Sequence, residues 1–156
     1  MALEALDDLY REVILDHFKN PRHHEPLTVH DVEEEGFNPL CGDQLFVQLK
    51  IEQGVIQDIA SWGKGCSISQ ASASILTEIL KGKKIEAVER DIQFFKDVMN
   101  RRSDLDQQDM GDLEALVGVR NFPVRIKCAL LGWTTVEAAL KQFKQVEGGR
   151  CKKIQS

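Results

Sequence analysis

Leu45-Phe46-Val47-Gln48-Leu49-Lys50-Ile51-Glu52, the pair Gln53-Gly54, and Val55-Ile56-Gln57-Asp58-Ile59-Ala60-Ser61-Trp62 decide the fold. Leu45, Val47, Leu49 and Ile51 alternate with less apolar neighbours, the period-two pattern of a strand with one buried face. Gln53-Gly54 supplies the turn, and Val55 to Trp62 reads as the returning strand of a β-hairpin. Val29 to Phe37 gives a weaker third strand, so the expectation is a small antiparallel sheet.

Working outward, the period becomes helical on both sides. Leu6, Leu9, Tyr10, Val13 and His17 share one face of an opening helix that Asn20-Pro21 stops. His23, His24 and His30 follow in a Pro-bounded loop and read as solvated histidines rather than ligands. Beyond Cys66, Ile68, Ala71, Ser72, Ile75 and Ile79 form a second helical face, which Lys81-Gly82-Lys83 ends with basic charge and glycine. Ile85, Val88, Ile92, Phe95 and Met99 form a third. Ser103 to Gly111 reads as an exposed polar connection, with a short helix from Asp112 to Val117 behind it. Pro123 opens a last long helix expected to run to about Lys144, with 145–156 a frayed basic tail. The expected architecture is α+β: a three-stranded antiparallel sheet covered by helices, in a single domain spanning 1–156.

Charge and hydropathy exclude several classes. Twenty basic against twenty-five acidic residues leave a net charge of −5. No helix or tail carries a dense basic block, which argues against nucleic acid or an anionic membrane surface as partner. No apolar run approaches the roughly 20 residues that span a bilayer, and Met1 to Asn20 is charged throughout without a signal-peptide core. The expected location is therefore the cytoplasm, where the four cysteines are thiols or metal ligands rather than disulfides. No Ser/His/Asp grouping and no His-Glu-x-x-His helix is visible, which argues against an independent hydrolase.

Chemistry concentrates in Cys41-Gly42-Asp43, Gly63-Lys64-Gly65-Cys66 and Cys128. Cys41 and Asp43 are two residues apart, which in an extended segment points both side chains to one face. Cys66 stands where a glycine-rich turn becomes a helix, and Cys128 in the first turns of the helix opened by Pro123; both positions favour negative sulfur. Three thiolates and a carboxylate around Zn²⁺ would be tetrahedral with a net charge of −2, and Lys64, Arg125 and Lys127 are close enough in sequence to balance it. Asp43, the harder ligand, would leave the site exchangeable. Taken alone, the residues also admit a plainer account, with Asp43 as a turn cap and Cys66 and Cys128 as small core residues. Cys151, behind Gly148-Gly149 in a polar tail, stays outside the site, its role open.

At these residues the chain resembles the IscU/NifU-type iron–sulfur assembly proteins. Asn38-Pro39-Leu40-Cys41-Gly42-Asp43, Gly63-Lys64-Gly65-Cys66-Ser67-Ile68-Ser69-Gln70-Ala71-Ser72 and Pro123-Val124-Arg125-Ile126-Lys127-Cys128 look like that family's three ligand segments, in order. The likeness is greatest to its SufU branch: the interval from Cys66 to Cys128 is long, with extra material around Asp97 to Asn121, and Lys127 replaces the usual histidine. Asn121-Phe122-Pro123-Val124-Arg125 departs from the family's Leu-Pro-Pro-Val-Lys stretch, which puts Hsp70-type chaperone handling in doubt. The resemblance implies an IscU/NifU-like fold, with zinc held by Cys41, Asp43, Cys66 and Cys128. It further implies that Cys41, freed from zinc, accepts persulfide sulfur from a SufS-like cysteine desulfurase for apo iron–sulfur proteins or other assembly factors. Arg125 and Lys127 would contact the partner or balance charge. Two other functions share these ligands: an IscU-like scaffold that assembles a [2Fe–2S] cluster, with iron as the guest, and a structural zinc interaction module without chemistry.

Overall fold

In a computed structural model, the backbone is described for residues 8–103 and 111–155, and side chains for 9–103 and 111–146. Three strands, β1 (Val32–Asn38), β2 (Asp43–Glu52) and β3 (Val55–Lys64), form an antiparallel sheet in the order β1-β2-β3. The β2–β3 turn carries positive φ at both Gln53 (52°) and Gly54 (74°), the backbone sense that matches the right-handed twist of a hairpin. β1 begins at Val32 rather than Val29, whose side chain is exposed.

The alternation in β2 is real. Asp43, Leu45, Val47, Leu49 and Ile51 are all buried, while Gln44, Phe46 and Lys50 on the other face are half-buried. Phe46 stacks on Trp62 of β3, ring centroids 5.7 Å apart, on that second face. The helices are α1 (Asp8–Lys19), α2 (Ser67–Leu80), α3 (Ile85–Met99) and α4 (Pro123–Gln155), with a 3-10 segment at Gly111–Asn121 between α3 and α4. α4 packs on β1, β2, α2 and α3, and α2 packs on β3 and α1, so both converge on the buried face of the sheet. Trp133 of α4 is fully buried, its ring 4.8 Å from Phe95 of α3 and its Nε1–H donating to Ser72 Oγ of α2 at 3.0 Å. Ser72 Oγ in turn donates to the Ala129 carbonyl at 2.6 Å, which ties α2 to α4 just beyond Cys128.

Some expectations shift. Leu9 is 63% exposed, whereas Ile14 and His17 are fully buried; Tyr10 and Val13 are half-buried. The buried stripe of α1 is therefore rotated toward α2 and the 3-10 segment; Leu6 lies outside the described residues. The expected short helix takes 3-10 form and extends to Asn121. Most of the Ser103–Gly111 connection, 104–110, lies outside the described residues. α4 continues past Lys144 to Gln155, while the side chains from 147 on, Cys151 among them, lie outside the described set.

Candidate metal centre

β2 begins at Asp43 with its carboxylate already on the buried face, fully buried like Leu45 two residues later. The turn before it is set by Asn38, the last residue of β1 and the register partner of Asp43. The Asn38 carbonyl accepts from Cys41 N–H (3.3 Å) and Gly42 N–H (2.9 Å), and its side-chain Oδ1 accepts from Leu40 N–H at 3.2 Å. Its Nδ2 faces inward, 3.5 Å from Asp43 Oδ2 and 3.7 Å from Cys128 Sγ. Asn38 was not singled out from sequence as a site residue, yet it holds the Cys41 turn and touches two members of the cluster.

Cys66 is the N-cap of α2, in extended conformation (φ −72°, ψ 165°). Its N–H donates to Asp43 Oδ1 at 2.9 Å, so the carboxylate bridges the sheet and the helix start. Gly65 makes room for that bond: at φ +151° it occupies backbone space suited to glycine, and a Cβ there would collide with Asp43 Oδ1. The Cys66 sulfur accepts from Ser69 N–H at 3.4 Å and also lies 3.7 Å from Ser69 Oγ, satisfying a free amide of the first turn.

Cys128, fully buried in α4, brings its Sγ to 3.1 Å from Cys41 Sγ. Donor atoms of Cys41, Asp43 and Cys128 all lie within 4.8 Å of one another, while Cys66 Sγ, turned toward Ser69, stands outside that group. The structure thus joins three of the four sequence-predicted ligands through their donor atoms and the fourth through its backbone. Soft thiols beside one carboxylate suit zinc, and two sulfurs this close fit a shared ion. Burial, then hydrogen bonds with Cys41 and Asp43, raise the Cys128 thiol well above its ordinary value. That reverses the expectation of negative sulfur at this position, because desolvation outweighs the helix start.

Arg125 is half-buried, its Nη1 3.9 Å from Cys41 Sγ. Burial opposes its charge, but hydrogen bonding to Cys128 and the nearby cysteine sulfurs outweigh that and hold the guanidinium above its usual range. Lys127 is exposed and takes no ion pair among the described residues; Lys64 is exposed as well. Cys41 and Cys66 open onto a cavity of about 790 Å³ whose other walls include Leu40, Phe122, Val124 and Arg125. Leu40 and Val124 are exposed at 66% and 57%, an apolar rim that the cysteine spacing did not announce.

The structure also holds a Ser/His/Asp row, contrary to the sequence expectation. His17 lies between Ser74 Oγ (Nδ1, 2.8 Å) and Asp112 Oδ2 (Nε2, 2.8 Å), and Glu78 Oε1 is 3.9 Å from Nε2. Ser74 is buried and its Oγ accepts from Arg22 N–H at 2.9 Å, so the row pins α1 to α2 and the 3-10 segment and offers no exposed nucleophile.

A three-stranded sheet backed by helices, with cysteines and an aspartate meeting at one end, defines a class. The family model for the NifU-like N-terminal domain matches residues 9–129, and the chain belongs to that family. Among individual proteins it is similar to the zinc-dependent sulfurtransferase SufU of Bacillus subtilis (strain 168), 44% identical over 144 residues that cover 92% of this chain and 95% of the relative. It is also similar to the iron–sulfur cluster assembly scaffold protein IscU of Streptococcus pyogenes serotype M1, 37% identical over 142 residues, covering 91% and 89%. The crystal structure of a nitrogen-fixing NifU-like protein (N-terminal) from Brucella abortus shares the fold, with a TM-score of 0.81 at 24% identity, covering 89% of this chain and 96% of that one. Among the described residues no helix is long and apolar enough to cross a membrane.

Proposed function

We propose that this protein works in iron–sulfur cluster assembly as a SufU-like sulfur acceptor, taking persulfide sulfur from a cysteine desulfurase at Cys41. The observation that carries the reading is the position of Cys41: its sulfur lies 3.1 Å from that of buried Cys128, and the residue lines an open cavity. Cys41, Asp43, Cys66 and Cys128 would hold zinc, with Cys66 exchanging its Ser69 amide contact for the ion. Zinc, when bound, keeps the thiolates charged and the site closed until a partner arrives.

The transfer needs little from the chain beyond a placed nucleophile. Cys41 Sγ attacks the terminal sulfur of the donor's persulfide; a new S–S bond forms on Cys41, the donor's S–S bond breaks, and the donor cysteine leaves as thiolate. The Arg125 guanidinium, 3.9 Å from Cys41 Sγ, places a hydrogen-bond donor beside the reacting sulfur. Leu40, Phe122 and Val124 give the cavity an apolar lining that sheds water when a partner's cysteine loop enters.

The similarity to IscU supports a second reading, in which the same ligands hold a [2Fe–2S] cluster during assembly. Stimulation of a cognate desulfurase separates the two. Cys41→Ala is expected to keep the fold and abolish stimulation by the zinc-loaded chain; stimulation at the wild-type level would refute the acceptor role. Anaerobic iron and sulfide giving a chromophore that moves to an apo-protein would establish the scaffold instead.

A further inference from the structure

Three cysteines surround the site, yet they are not equivalent toward one another. Cys128 Sγ lies 3.1 Å from Cys41 Sγ, whereas Cys66 Sγ is engaged by the Ser69 amide and stands outside the close group. Cys128 is fully buried and does not line the cavity; Cys41 lines it. Cys41 therefore has a buried sulfur as its neighbour and is itself open to the cavity. Thiol–disulfide exchange requires the attacking sulfur to approach one sulfur of the pair while the other departs.

We propose that Cys128 is the resolving thiol for a persulfide carried on Cys41. The proposal rests on the reading of Cys41 as the sulfur acceptor and adds a fate for the bound sulfur. Cys128 Sγ attacks the inner sulfur, Cys41 Sγ; a Cys41–Cys128 disulfide forms and the bond from Cys41 Sγ to the outer sulfur breaks. The outer sulfur leaves into the cavity with the electron pair and takes up the Cys128 proton and its own, departing as hydrogen sulfide. The sulfane sulfur is reduced by two electrons and the two cysteine thiols are oxidised by two, so no outside reductant enters. Cys66 is the less well placed attacker, because its sulfur accepts from the Ser69 amide and stands outside the close Cys41/Asp43/Cys128 group.

Metal and resolution compete for the same sulfur. A chain whose Cys128 ligates zinc keeps its persulfide, and a chain that has lost the metal discharges it once and locks as the disulfide. The site then releases sulfide only where it can no longer hand sulfur on.

The test uses the full chain, made metal-free with a chelator under reductant, desalted without oxygen and treated with one equivalent of inorganic tetrasulfide. After removal of the donor, wild type is expected to release close to one sulfide per chain, and non-reducing peptide mapping should show Cys41 joined to Cys128. Cys128→Ser should retain the added sulfur on Cys41 with at least tenfold less sulfide released. Cys66→Ser should behave as wild type, and reloading wild type with zinc before treatment should suppress release by a similar factor. A Cys41 persulfide that persists in metal-free wild type, or a Cys41–Cys66 cross-link, would overturn the proposal, and the wild-type map decides this even if Cys128→Ser folds poorly. The sulfur is loaded chemically, so failure of the acceptor reading shows separately, as desulfurase stimulation that survives Cys41→Ala.

Discussion

Replacing Gly65 with alanine tests whether the site's carboxylate is held by the fold. Gly65 has φ +151°, and a Cβ there would collide with Asp43 Oδ1 and lie 2.8 Å from Ser69 Oγ. Forcing a residue with a Cβ into that conformation costs about 1–3 kcal/mol. Displacing the carboxylate also breaks its 2.9 Å bond from Cys66 N–H, a contact to a charged group that contributes about 1.5–3 kcal/mol. The expected loss for Gly65→Ala is about 2.5–6 kcal/mol, a large share of the roughly 5–15 kcal/mol that holds a typical domain folded. At about 2–4 °C per kcal/mol for a chain of 156 residues, the metal-free Tm should fall by roughly 5–24 °C. Gly54→Ala is the control: it has φ +74°, and a Cβ there would meet nothing within 4 Å, so only conformational strain of about 1–2 kcal/mol is expected. Urea unfolding of the two metal-free variants, followed by zinc titration against a chelating dye, reads both effects. Zinc affinity should drop at least tenfold for Gly65→Ala and stay unchanged for Gly54→Ala. Equal stability losses in the two variants, with equal zinc affinity, would refute the claim that this glycine makes space for the Asp43 carboxylate.

Other perturbations separate the parts. Asp43→Ala leaves the Cys66 amide without its acceptor and should destabilise the metal-free chain by about 1–3 kcal/mol, while zinc exchange, followed by chelator competition, changes by a larger factor; unchanged exchange would remove Asp43 from the ligand set. Burial holds the Cys128 thiol above its ordinary value of 9.0, so the folded chain keeps this proton more firmly than the unfolded one. Its contribution to stability is then full below about pH 9 and is lost as pH rises above it, so the urea midpoint of the metal-free chain should fall more steeply over that range than that of Cys128→Ser. Trp133→Phe removes the donor to Ser72 and thins the packing on Phe95, and should cost about 2–3 kcal/mol in urea unfolding; a neutral result would mean that α2 and α4 are held together elsewhere.

The parts of the molecule that follow from local pattern were legible in the chain. Alternation from Leu45 to Ile51 disclosed the sheet, and continuing it back by one step puts Asp43 on the buried face, where the structure has it. The pairing of Cys41 with Cys128 across 87 residues was expected through the family resemblance, since residue spacing alone left both cysteines a plainer role. What escaped depends on neighbours distant in sequence. His17 looked like one more position on an apolar stripe because its partners, Ser74 and Asp112, are 57 and 95 residues away. Leu9 looked buried and is exposed, since only docking on α2 selects which flank of α1 faces inward. Lys127 adjoins Cys128 in the chain but lies about 100° around the helix from it, which turns the lysine to solvent. The direction of the Cys66 sulfur is a choice between a helix amide and an ion, and no spacing rule encodes it.

The two halves of the Cys41/Asp43 pair are anchored with unequal firmness. The acid belongs to the pleat of β2 and is gripped on both flanks, whereas the thiol rides a reverse turn whose backbone is clasped by two amide contacts to the Asn38 carbonyl. On the acceptor reading proposed for Cys41, drawing Cys41 outward would uncoil only residues 39–42 and leave the Asn38/Asp43 rung in place. On that same reading, the donor that travels is mounted on a turn, and the one that stays is part of the frame.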